Sequence, residues 1–236
     1  QCLMLLAIMA LPTPSAARCP DLALVLAIDA SGSIGDAEFQ LQLQGYAAAF
    51  RSAAVQEAIQ SVGEVEVAVV LWADGEMAAQ VFPFRDVSSV SASLDLAETI
   101  LGMKRAVTGN TGVGRGLWTA LDLIEQQVPC ALRRIVNVSG DGKESFGARP
   151  RSLIPLANAR LRAETMGVTV NALAIQTEVK DLADWYQRNL IIGAGAFVMS
   201  ISALSSFAEA VEQKLAREIA NPMLAERVAT DQQMFD

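Results

Sequence analysis

Leu22 to Gly35, LALVLAIDASGSIG, decides the fold. Its first half, Leu22 to Ile28, is an unbroken apolar run of strand length, as expected of a strand covered on both faces in a parallel sheet. Asp29, Ser31 and Ser33 then stand on alternate residues, and Gly32 and Gly35 let the chain leave extended geometry there. From Asp36 the period changes. Phe39, Leu43, Tyr46, Ala47 and Phe50 recur at three- and four-residue spacing, which predicts a helix. The unit is strand, polar loop, helix.

The same alternation continues along the chain. Val65 to Ala73 reads as a second strand, turned by Asp74-Gly75 into a shorter segment, Met77 to Phe84, whose Pro83 suits a sheet edge. A helix over about Ser88 to Leu101 leads into the glycine-rich loop TGNTGVGRG, Thr108 to Gly116. Leu117, Ala120, Leu121 and Ile124 mark the helix that follows. Arg134 to Ser139 is the next strand and ends at Gly140-Asp141-Gly142. Beyond it come a helix near Leu153 to Met166, a strand at Val168 to Ile175 and a short helix near Leu182 to Leu190. A strand at Ala196 to Ile201 and a helix from Ser205 to Ile219 complete the pattern. This predicts an α/β fold: a doubly wound, mostly parallel six-stranded sheet with right-handed crossovers. One domain over residues 20–220 accounts for it, and residues 221–236 carry no clear pattern.

Composition narrows the function. The 236 residues, 52% of them hydrophobic, suffice for one sizeable core. A net charge of −8 without any Lys/Arg cluster argues against nucleic acid, whose phosphates dominate affinity. The chain has no histidine, so Ser-His-Asp and Cys-His chemistry are excluded, along with the commonest zinc ligand. Residues 1–17 read as an export signal that begins partway into its own leader: an apolar run from Leu3 to Leu11, too short to span a bilayer, precedes Pro12, Pro14 and the small residues Ser15-Ala16-Ala17. No later segment is long and apolar enough to cross a membrane. The expected location is the periplasm or the outside of the cell.

In a doubly wound sheet, ligands bind at the carboxyl ends of the strands, where the strand order reverses. Three loops can reach that place, carrying Asp29, Ser31 and Ser33, then Thr111, then Asp141. Two carboxylates and three hydroxyls, without sulfur or imidazole, suit a hard cation such as Mg²⁺, Mn²⁺ or Ca²⁺. Each residue also has a plainer reading. Asp29 and Ser31 could cap the helix at Asp36, Thr111 could be a turn or N-cap residue, and Asp141 could serve a tight turn. Trp72, Trp118 and Trp185 read as core or sheet-flanking residues.

Taken together, DASGS after an apolar strand, GNTGVGRGL at a helix start and VSGDG after another apolar strand resemble the metal-ion-dependent adhesion site of the von Willebrand factor type A (VWA) domain. With the late stretch DWYQRNLIIGAGAFV, the pattern also resembles an uncharacterised bacterial group of such domains, the DUF1194 type. The resemblance covers roughly Asp21 to Ile219. It implies that Ser31, Ser33 and Thr111 ligate a divalent ion through their hydroxyls, while Asp29 and Asp141 bind it directly or through water. It further implies an open coordination position for an acidic side chain of a protein partner. In one respect the chain departs: members of that family commonly have Thr immediately before the last Asp, and here Gly140 stands there.

The alternative to a binding module is a metal-dependent hydrolase or phosphatase. An aspartyl-phosphate phosphatase also places an Asp after the first strand, but its second acid two residues on is here Ser31. The glycine-rich loop follows a helix instead of a strand and lacks Gly-Lys-Ser/Thr, so it does not read as a nucleotide site. A third reading keeps the fold and treats the metal site as degenerate.

Cys19 and Cys130 each stand just before an apolar strand, at the sheet end opposite the candidate site. In the order 3-2-1-4-5-6 those strands are neighbours, about 4.8 Å apart, within reach of a disulfide. The alternative is two separate buried thiols.

Overall fold

The computed structural model describes residues 19–147 and 153–220. The expected leader and the C-terminal segment therefore lie outside the described residues. In chain order the elements are β1 Leu22–Asp29, α1 Asp36–Arg51, α2 Ala53–Val62, β2 Val65–Trp72, β3 Gln80–Asp86, α3 Val90–Leu101 and α4 Val113–Gln127. They continue with β4 Arg133–Gly140, α5 Leu156–Thr165, β5 Thr169–Ile175, α6 Leu182–Asn189, β6 Val198–Ile201 and α7 Phe207–Ala220. The sheet order is β3-β2-β1-β4-β5-β6, with β3 antiparallel to β2 and all other neighbours parallel. The expected class, strand number and order are all present.

β1 explains the rest, because all eight of its residues are buried. Leu22, Leu24, Leu26 and Ile28 point into a core closed by α1, α2, α3 and α7, while Val25 and Ala27 point into a second core closed by α4, α5 and α6. Side chains alternate across a strand, so a run buried on both faces must be apolar throughout. The tryptophans follow the same logic. Trp72 is buried in the second core, Trp118 flanks it beneath the Arg162 guanidinium, 4.4 Å from the ring centre, and Trp185 flanks it beside Tyr186.

Two details differ from the sequence pattern. The helix α2 was not expected; Ser52 ends α1 and caps α2 by accepting a hydrogen bond from the Val55 N–H at 3.3 Å. The edge strand starts at Gln80 and not at Met77, because Met77 is still inside a turn in which its N–H donates to the Asp74 carbonyl at 3.1 Å. Pro83 sits in that edge strand, where a missing N–H is tolerated.

α1 and α7 approach closely at Gly45. A Cβ there would fall 2.5 Å from Cδ1 of Phe207, a fully buried ring. Gly45→Ala is expected to destabilise the protein by about 1–3 kcal/mol, the usual cost of overpacking, read as a lower midpoint in urea. An unchanged midpoint would mean that the α1–α7 contact yields freely.

Cys19 and Cys130 form a disulfide, with Cα atoms 5.3 Å apart and a sequence separation of 111. Around it, the Leu132 N–H donates to the Pro20 carbonyl at 3.0 Å. Arg133 at the start of β4 donates to the carbonyls of Glu218 and Ile219 at 2.6 and 2.8 Å, which ties the end of α7 to the same pole.

Candidate functional site

β1 and β4 are neighbours whose carboxyl ends finish together, with Ile28 opposite Ser139. Asp29 is the last residue of β1, and Asp141 follows the last residue of β4. On one side of β1 the chain proceeds to β2, and on the other the sheet continues through β4. This is where the strand order reverses, and side chains from three loops converge there.

A chain of short contacts links four of the five expected residues. Asp29 Oδ1 accepts the Ser31 N–H at 2.8 Å, the hydroxyls of Ser31 and Ser33 are 3.2 Å apart, and the Ser33 hydroxyl donates to Asp141 Oδ1 at 2.9 Å. Thr111 joins from the glycine-rich loop. Its Oγ1 lies 3.2 Å from where a Cβ on Gly142 would stand, so it abuts the backbone next to Asp141. The loops are stitched by backbone bonds: Gly32 N–H to the Gly109 carbonyl at 2.8 Å, and Gly112 N–H to the Ala73 carbonyl at 2.7 Å. Asp29, Ser31, Thr111 and Asp141 are buried, and Ser33 is exposed.

The capping alternatives do not describe this arrangement. The N-cap of α1 is Gly35, whose N–H is taken by Glu38, and the N-cap of α4 is Gly112. Neither Asp29 nor Ser31 nor Thr111 caps a helix.

Electrostatics set the site apart from an ordinary turn. Burial, followed by the charge of Asp141, pushes the Asp29 carboxyl up to about 7, against the lowering effect of the Ser31 hydrogen bonds. Burial also raises Asp141, which the Ser33 hydroxyl partly offsets while Glu178 and Glu38 add to it. Asp29 Oδ2 is buried and has no hydrogen-bond partner among the described residues. Among those residues no three Asp, Glu, Cys or His side chains gather as a metal cluster. A cation at this place would thus be held by two carboxylates and neutral hydroxyls.

Sequence reasoning missed two groups. Tyr186 on α6 donates its hydroxyl to the Gly142 carbonyl at 3.1 Å. A Cβ on Gly140 would fall 2.7 Å from that hydroxyl and 2.9 Å from Asp29 Oδ2. The space a threonine would use before the last Asp is therefore filled by a phenol, which accounts for Gly140. The stretch DWYQRNL contains Tyr186, but nothing in its spacing aims the ring at a loop forty residues away. The second is Ser145, which holds Thr111 at both ends: its hydroxyl accepts the Thr111 N–H at 3.0 Å, and its N–H donates to the Thr111 carbonyl at 2.9 Å.

A family model described as "Protein of unknown function (DUF1194)" matches residues 18–223. The chain belongs to that family. No curated protein matches this DUF1194 chain. Among solved structures it is similar to proximal thread matrix protein 1 from the mussel byssus, at 18% identity and a TM-score of 0.60, covering 86% of this chain and 47% of that one. It is also similar to the pilus adhesin SpaC from Lactobacillus rhamnosus GG, at 12% identity and a TM-score of 0.60, covering 86% and 31%. The vWF domain of the type V pili tip protein Mfa5 from Porphyromonas gingivalis matches at 13% identity and a TM-score of 0.51, covering 86% of this chain and 96% of that domain. The DUF1194 chain spans less than half the length of the first two. At these identities the likeness concerns the fold, and that fold is VWA-like.

Proposed function

We propose that this DUF1194 chain is an exported adhesion or assembly module. In this reading, Asp29, Ser31, Ser33, Thr111 and Asp141 hold one Mg²⁺ or Mn²⁺, and the ion receives an acidic side chain of a protein partner. The observation that carries the reading is Asp29 Oδ2: a carboxylate oxygen, fully buried, without a hydrogen-bond partner among the described residues and with a second carboxylate nearby. Such an oxygen costs free energy unless a cation or a proton meets it. The all-oxygen donor set suits a hard ion. When bound, that ion would supply positive charge able to attract a further carboxylate. Ser31 and Ser33 orient Asp29 and Asp141 through the bonds given above.

The fold supports a binding role, since two of its structural neighbours are pilus proteins by name. A disulfide favours an oxidising compartment. Among the described residues no helix is long and apolar enough to cross a membrane. An enzymatic reading finds less support, because the residue two after Asp29 is Ser31 and the chain offers no histidine as a base.

Capture of a protein partner from the envelope fraction is expected to require divalent metal and to be lost in chelator. Thr111→Ala is expected to weaken metal binding about tenfold, the loss of one ligand worth ~1.4 kcal/mol, with little change in unfolding midpoint because the hydroxyl supports no core packing. Titration calorimetry with Mn²⁺ reads the first effect and thermal unfolding the second. A partner bound equally well in chelator would overturn the mechanism.

A further inference from the structure

Asp141 stands one residue beyond β4, beside Asp29, whose charge repels its own. Like charges at close range push apart unless the backbones that carry them are held. The bond that Asp141 accepts from Ser33 comes from an exposed loop residue. Firmer holds come from both faces of the sheet.

Tyr46 and Tyr186 are the chain's two tyrosines, and both are fully buried. They belong to opposite cores: Tyr46, on α1, to the one that Leu24 and Ile28 enter, and Tyr186, on α6, to the one that Val25 and Ala27 enter. Their hydroxyls meet the carboxyl end of β4 from its two sides. Tyr46 donates to the Ser139 hydroxyl at 3.1 Å, two residues before Asp141, and Tyr186 donates to the Gly142 carbonyl at 3.1 Å, one residue after it. Side chains alternate across a strand, so Ser139 faces the α1 side while Gly140 faces the other, where a Cβ would meet both the Tyr186 hydroxyl and Asp29 Oδ2. Each ring has its own support. Tyr46 packs edge-on against Phe207, with ring centres 5.7 Å apart, and Tyr186 lies beside Trp185 at 5.8 Å. One turn before Tyr46, the buried Gln42 donates its amide to the Asp29 carbonyl at 3.4 Å, so α1 bonds to the ends of both β1 and β4.

We propose that Tyr46 and Tyr186 are positioning residues of the metal site: two buried phenols, one on each face of the sheet, fix the backbone on either side of Asp141 and keep its carboxylate beside Asp29. The inference rests on the metal reading above and adds what holds the two carboxylates together before an ion arrives. A donor set already in place binds more tightly than one the ion must gather, because the ordering is complete beforehand. Each ring supplies the loop with one hydroxyl, so phenylalanine in its place keeps the core packing and removes the hold.

The test compares wild type with Tyr46→Phe and Tyr186→Phe, whose folding is checked by circular dichroism. Titration calorimetry with Mn²⁺ is expected to show about tenfold weaker binding in each variant. Nitrogen-15 relaxation of the metal-free protein supplies a readout that a general structural role would not move. The Gly140 and Gly142 amides are expected to be as rigid as the central strands in wild type and to gain motion in Tyr186→Phe, while those of β1 and β2 stay unchanged. Wild-type protein that binds no Mn²⁺ would refute the metal reading and this inference together. Full-strength Mn²⁺ binding by either variant, or glycine amides as rigid in Tyr186→Phe as in wild type, would refute this inference alone.

Discussion

Asp29→Asn is expected to raise the thermal midpoint of the metal-free protein at pH 8 by roughly 5 °C, and to abolish any further rise on adding Mn²⁺. The two effects have opposite signs because one carboxylate causes both. In the unfolded chain Asp29 ionises near its ordinary value of 3.8, whereas burial and Asp141 raise it to about 7 in the fold. The folded state therefore holds the proton more tightly. Stability from this group is present below 3.8, falls as pH rises through the window to about 7, and stays reduced above it. An ionised Asp29 at pH 8 thus costs the metal-free fold up to a few kcal/mol, of which an uncharged amide recovers part; 2–4 °C per kcal/mol applies to a chain of this size. At pH 5 the gain should largely vanish. In wild type the ion offsets the same charge, so Mn²⁺ should raise the midpoint by mass action. Calorimetric scans at pH 5 and pH 8, with and without Mn²⁺, separate the cases. A variant less stable than wild type at pH 8, beside a wild type indifferent to metal, would show that the Asp29 carboxylate serves packing alone.

Breaking the Cys19–Cys130 bond should have the largest effect on stability itself. The bridge closes a loop of 111 residues, for which the chain-entropy estimate is about 4.7 kcal/mol, with 2–4 kcal/mol typical in practice. The Cys130→Ser variant, or reduced wild type, is expected to unfold roughly 10 °C lower. Scans with and without reductant measure it; equal midpoints would mean that the backbone bonds from the Leu132 N–H to the Pro20 carbonyl and from the Arg133 N–H to the Asp21 carbonyl, each 3.0 Å, already confine that end of the chain.

Much of the fold was legible because its central strands are buried on both faces, which leaves an uninterrupted apolar run such as LALVLAI that no exposed segment would carry. Strand order followed from the alternation of elements, and the strand order brought the two cysteines together. α2 was less legible: AAVQEAIQSV is short and follows α1 after a single residue, so its start rests on one serine cap. The Asp29, Ser31, Ser33 and Asp141 cluster could be read because polar residues at a strand's carboxyl end are conspicuous after an apolar run. Tyr186 could not, since its place beside Gly142 depends on how α6 lies against β5 and β6, and a helix's angle of approach leaves no mark on residue spacing.

The anchoring of Cys19 and of the α7 terminus to one pole has a mechanical meaning. The described segment enters and leaves the fold at its handle, and the candidate binding face stands at the tip, about 26 Å away by the rise of an eight-residue strand. A tug on the tip reaches the handle along β1 and β4 side by side, strands whose starts lie three residues beyond the cross-linked cysteines and which pair in parallel. Force of this kind is shared between the two strand backbones and their cross-linked starts, instead of peeling one strand from the other bond by bond.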